Sequence, residues 1–132
     1  MTDKEKLKIQ VCQAIDRNGH RITDLGDRLM ATPELGFKEF ETAGLVSALM
    51  KEFGVPHRSG LAITGVKGEL KGSRPGPTLA LLGELDSLLL SDHPDADPET
   101  GAAHACGHNA QIAGLMGAMM GLIESRALDR MS

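Results

Sequence analysis

Apolar residues recur at helical spacing near the start of the chain. Leu7, Val11, Ala14 and Ile15 share one side with charges opposite, and Asn18-Gly19 supplies a stop, so the pattern predicts an amphipathic helix over residues 2–18. A second helix is expected over 20–31, with Ile22, Leu25 and Leu29 on one face. Thr32-Pro33 closes it, because the residue before proline is pushed out of the helical region. Phe40, Leu45, Leu49 and Phe53 predict a third helix over 38–53, ended by Gly54 and Pro56. Glu34, Glu39 and Glu41 read as acidic side chains favoured at a helix start, although carboxylates there are also candidate ligands or proton carriers.

The period then shortens. Ile63, Val66 and Leu70, interrupted by Gly60, Gly65 and Gly68, suggest strands with bends or bulges over 55–70, followed by a Gly/Pro turn over 71–77 that joins two strands. Residues 78–82, TLALL, form an apolar run without alternation, as in a strand covered on both faces inside an α/β sheet. Glu84 and Asp86 follow it, at the carboxyl end of the strand where open α/β sheets place ligands. Two apart in extended chain, they point the same way; a polar strand terminus would carry such residues as well. The polar loop over 91–100 reads as a solvated connector, with His93, like His57 upstream, a surface histidine.

A last helix is expected over 110–123. One stripe is apolar (Ile112, Leu115, Met116, Met119, Leu122, Ile123); the other is smooth (Gly114, Gly117, Ala118, Gly121) and suits close approach of another backbone. A helix buried on two sides belongs inside a layered fold, and about fourteen residues are too few to span a bilayer. The elements together make an α/β chain: N-terminal helices, strands of a mixed sheet, then a buried helix.

Composition narrows the function classes. A net charge of −4 offers no electrostatic footprint for nucleic acid, and three Phe with no Trp or Tyr give no stacking platform for single strands. Cys12 and Cys106 form no CxxC pair, so a disulfide framework is not expected. The N-terminus has no apolar run after its charges, and a cytoplasmic protein is expected. Cys12 itself reads as a packing residue.

The densest chemistry lies in GAAHACGHNAQ, residues 101–111, where His104, Cys106 and His108 fall within five positions. In a helix such residues diverge, so convergence on one ion requires an extended or looped 103–108, which Gly101 and Gly107 permit. Asn109 is then a candidate N-cap for the helix that follows. A thiolate with imidazoles suits zinc, and Asp86 is placed to orient a ligand histidine; an HxCxH string in a loop also arises by chance.

These strings, with PELGFKEFETA (33–43), GLAITGVKGEL (60–70), LLGELDSL (81–88) and TGAAHACGHNAQIAGLMGA (100–118), resemble the N-terminal part of the amidohydrolase branch of the co-catalytic zinc metallopeptidases. That group includes hippurate hydrolase, aminobenzoyl-glutamate hydrolase and N-acyl amino acid amidohydrolases. The resemblance implies that residues 1–132 are the N-terminal part of a three-layer α/β/α catalytic domain, without the family's lid or dimerisation domain. It implies a hydrolase of N-acyl amino acids or dipeptide-like amides, with two divalent ions, zinc or manganese, in the complete site. Cys106 and His108 match two metal ligands, Asp86 the aspartate beside the site, and Glu84 a position where another aspartate is common. His104 matches the string without being counted as a ligand, and Asn109 replaces a frequent aspartate.

The family's general-base glutamate, a neighbouring metal-binding glutamate and two further histidines lie farther downstream than these residues reach. After His108 the chain has Glu124 and Asp129 as carboxylates and no histidine. The chain by itself is therefore expected to be inactive. The alternative is a non-catalytic pseudoenzyme or a module that self-associates through its smooth helix face; a homo-oligomer is expected on either view.

Overall fold

Thr2 opens the first helix by reciprocal capping: its hydroxyl accepts the Glu5 N–H, and the Glu5 carboxylate takes the Thr2 N–H. In the computed structural model, which describes residues 1–130, this helix is α1 (Asp3–Arg17), followed by α2 (Gly19–Ala31) and α3 (Phe40–Glu52). Strands β1 (His57–Leu61) and β2 (Gly65–Gly68) form an antiparallel hairpin. A second antiparallel pair joins β3 (Leu88–Leu89) to β4 (Ala102–Ala103), and helix α4 (His108–Glu124) leads into a 3-10 turn over Ala127–Arg130. The chain is thus of mixed α/β class.

Helix α4 is the element the others pack on. Leu25 and Leu29 of α2, Val46 and Met50 of α3, and Ile112, Met116, Met119 and Met120 of α4 make one buried cluster with Val55. The methionines are core filler. The smooth stripe of α4 is partly filled from within the chain: a Cβ at Gly117 would stand 2.8 Å from Ile22 Cδ1, and one at Gly121 would stand 2.6 Å from Ile15 Cγ1. Helices α1 and α2 therefore cover Gly117 and Gly121, while Gly114 of the same stripe stays exposed.

Asn18, buried where α1 meets α2, donates from Nδ2 to the Ala14 carbonyl (3.0 Å) and to Glu124 Oε2 (2.8 Å), tying the end of α1 to the end of α4. Asn18→Ala is expected to lower stability by about 1–3 kcal/mol, because it removes both side-chain hydrogen bonds, one of them to a charged carboxylate. Urea unfolding checks this, and an unchanged midpoint would show that the tie carries no weight.

Several expectations fail here for identifiable reasons. Residues 78–82 form no strand, and Leu79 and Leu82 are each 85 % exposed. A strand buried on both faces needs partners along both edges, and among the described residues none pairs with this run. The segment over 71–77 consequently joins no two strands; Ser73 instead bonds the carbonyls of Leu128 (2.9 Å) and Asp129 (2.8 Å). Phe40 is exposed because α3 begins at it and turns Ala43, Val46 and Met50 inward. Cys12 is exposed because α1 faces α4 through the side that carries Ala14.

The loop before α3 is held on both sides. Glu34 caps α3 by accepting the N–H groups of Glu41 (3.0 Å) and Thr42 (2.8 Å). Its carbonyl accepts the N–H (2.8 Å) and hydroxyl (2.7 Å) of Ser87, and Leu35 makes a parallel bridge with Ser87. Glu39 is buried and accepts the Thr64 hydroxyl at 2.6 Å. Within this loop Phe37 has φ +63°, and Ala62 (φ +45°) and Ile63 (φ +88°) turn the β1–β2 hairpin. Left-handed backbone costs a non-glycine residue about 1–2 kcal/mol.

Candidate metal centre

The site is assembled where the chain entering β3 meets the start of α4. The Ser87 ties just described hold residues 86–87 against the loop before α3, and Gln111, one turn into α4, accepts the Glu84 N–H at 2.6 Å. Gly83 lies so close to the same helix that a Cβ would stand 2.9 Å from Ile112 Cδ1. Glu84 and Asp86 are thereby brought to the first residue of α4, His108.

The carboxylates take opposite edges of that imidazole. His108 Nδ1 lies 2.8 Å from the Asp86 carbonyl and 3.0 Å from Asp86 Oδ1, so both neighbours of Nδ1 are acceptors and Nδ1 carries the proton. Nε2 is then the nitrogen left to bind, and Glu84 Oε2 stands 3.0 Å from it. Two carboxylates around one imidazole make the site favourable to positive charge. Among the described residues no group of three or more His, Cys, Asp or Glu side chains stands in ligating geometry; at His108 they are arranged as hydrogen-bond partners. The donor types nevertheless fit a divalent ion, and an imidazole fixed by a carboxylate on its far nitrogen is the usual posture of a metal-ligating histidine.

The other motif residues sit differently. Cys106 is an exposed free thiol in the loop between β4 and α4. His104 is buried, only 7 % exposed, and its Nε2 has no hydrogen-bond partner. Asn109 is not the N-cap: Gly107, at φ +84°, occupies that position, and the Asn109 amide lies 3.4 Å from the Gly26 carbonyl. A left-handed cap position favours glycine over asparagine, which moves the helix start to His108. Gln111, Ser87 and Glu34 were not anticipated as supports. A polar residue one turn into an otherwise apolar helix was the available signal for Gln111; nothing local pointed to the Ser87–Glu34 ties.

Burial pushes the His104 imidazole below its ordinary value, nearby His108 acts in the same direction, and Asp86 opposes them. A group whose folded pKa is depressed contributes stability that is present above its unfolded pKa, near 6.5, and is lost as pH falls below it. Wild-type chain is thus expected to lose more stability between about pH 6.5 and 5 than His104→Gln, as measured by urea unfolding. Parallel pH profiles would remove His104 as the cause.

No family model matches the chain. It is 33 % identical over 128 residues to thermostable carboxypeptidase 1 of Saccharolobus solfataricus, covering 94 % of this chain and 32 % of that protein. It is 36 % identical over 97 residues to the N-acetyl-L-cysteine deacetylase of Bacillus subtilis, covering 71 % of this chain and 23 % of that protein. The crystal structure of the Bacillus subtilis YXEP protein, a dinuclear metal binding peptidase, superposes with a TM-score of 0.72 at 31 % identity, over 82 % of this chain and 32 % of that one. The chain thus spans a third or less of the length of the curated relatives it matches. Likeness in sequence along nearly all of the chain, and in fold where the structures overlap, places it in the M20 family of metallopeptidases and amidohydrolases, matching their N-terminal portion.

Proposed function

We propose that these residues supply part of the divalent-metal site of an amidohydrolase that cleaves the amide bond of N-acyl amino acids or similar small substrates. The observation that carries this reading is His108, gripped at Nδ1 by Asp86 and faced at Nε2 by Glu84. Cys106 and His108 would hold the ion, with Asp86 fixing the ring and Glu84 adjoining it. The thiolate makes zinc a better match than manganese. An ion there would supply Lewis acidity toward the amide carbonyl and toward water. The deacetylase relative supports the N-acyl amino acid class, and the metal-binding neighbour supports a two-ion site in the complete domain.

The general base is not assigned to this chain. Glu124 is engaged with Asn18, and Asp129 pairs with Arg126 at 2.9 Å. Residues 1–132 are accordingly read as the N-terminal part of a catalytic domain. The self-associating alternative is less favoured, since Ile22 and Ile15 lie against Gly117 and Gly121 and leave only Gly114 of the three stripe glycines open.

Calorimetric titration tests the reading. Zinc is expected to bind, more tightly than manganese, and the chain alone to release no amino acid from N-acetylated amino acids. Absence of metal binding, or binding indifferent to both Cys106→Ala and His108→Ala, would overturn it.

A further inference from the structure

Glu84 reaches His108 from a segment that is otherwise unbonded. Among the described residues, residues 74–85 make one backbone hydrogen bond, from the Glu84 N–H to Gln111 Oε1 at 2.6 Å. Gln111 lies three residues after His108, so the two share one face of α4. Gly83, lacking a Cβ, lets the chain lie against Ile112 and Leu115 within reach of that amide. The Glu84 side chain is 65 % exposed, so packing does not fix it, and its place is set through its backbone. That place is informative. Glu84 Oε2 and His108 Nε2 both offer electron pairs, and they stand 3.0 Å apart. Two such atoms stay this close only around a cation, and on one tetrahedral zinc, with bonds of about 2.0–2.2 Å, an oxygen and a nitrogen lie about 3.4 Å from each other.

We propose that Gln111 is a positioning residue of the metal centre: it holds the Glu84 backbone against α4 so that the Glu84 carboxylate enters the ion's coordination shell beside His108. This rests on the divalent-metal reading and extends it by a third donor, an oxygen added to the Cys106 sulfur and the His108 nitrogen. Gln111 touches neither ion nor substrate; its effect passes through Glu84. Without the tether, residues 74–85 lose their hydrogen bond to α4, and the carboxylate has to be ordered when the ion binds, at a cost in entropy that weakens binding.

The test uses this chain with zinc alone as the probe, its affinity read by chelator competition. Gln111 is exposed, so its variants are expected to fold and to melt close to wild type. Gln111→Met should weaken zinc roughly three- to tenfold, the worth of one hydrogen bond. In a Glu84→Gln background the same substitution should cost less than about twofold, because the group it positions has already lost its charge. Without metal, the Glu84 amide should exchange its hydrogen at least about tenfold faster in Gln111→Met than in wild type, whereas Gln111→Glu, which keeps an oxygen at that reach, should keep it protected. Unchanged zinc affinity in Gln111→Met, an equal loss in both backgrounds, or an amide that exchanges alike in wild type and Gln111→Met overturns the tether and leaves the metal reading standing. Wild type that binds no zinc overturns both.

Discussion

Zinc is expected to bind the His108→Ala chain more than about 100-fold more weakly than wild type, because removing even a group that only orients a metal ligand costs about 10–100-fold in affinity. Asp86→Asn supplies the comparison. It removes the charge that fixes the proton at His108 Nδ1 but leaves the ring, and its cost should fall within that 10–100-fold range. Glu84→Gln keeps the shape at Nε2 while lowering the negative charge, so it should weaken zinc as well. Cys106→Ala removes the soft donor and should narrow the preference for zinc over manganese. Binding should also weaken in acid, since imidazole and thiolate bind only when deprotonated. A competition titration against a chromophoric chelator reads all four variants. Wild-type affinity in His108→Ala would remove the metal centre from this part of the chain, whatever the other variants do.

The second large effect is on stability. Leu29→Ala is expected to cost about 2–5 kcal/mol, the range for emptying a fully buried leucine site in a core that relaxes only partly. Leu29 has no exposed surface and lies in the cluster where α2, α3 and α4 meet, so the cavity would open at the centre of the helical packing. Leu82→Ala should change stability by less than about 0.5 kcal/mol, because Leu82 stands in solvent. Urea midpoints of the two variants separate the cases. Equal losses would mean that residues 78–82 are covered in solution, contrary to their exposure here.

That contrast shows what an apolar run does and does not specify. Leu29 is legible as core from sequence, since its helical period with Ile22 and Leu25 selects one face. TLALL has no period, so its burial depends on what pairs with its edges. Phe40 fails for a related reason: a residue at a helix terminus can satisfy the period and still lie beyond the packed surface. Asn109 fails because capping preference alone does not choose between neighbouring positions when a glycine is available.

The four helices, to within a few residues, the strands with bends over 55–70 and the candidate donor side chains were legible in the sequence, because periodicity, punctuation and donor type are local properties. The tertiary structure alone decided how those donors meet. It set Asp86 and Glu84 on opposite edges of one imidazole, buried His104 with its Nε2 unpartnered and left Cys106 in solvent. It also packed α1 and α2 onto Gly117 and Gly121 of α4, and set the backbone at Gly36 near Asp86 while Glu34 ties the same loop to Ser87. These pairings span tens of residues along the chain, and no local preference encodes which distant group a side chain will find.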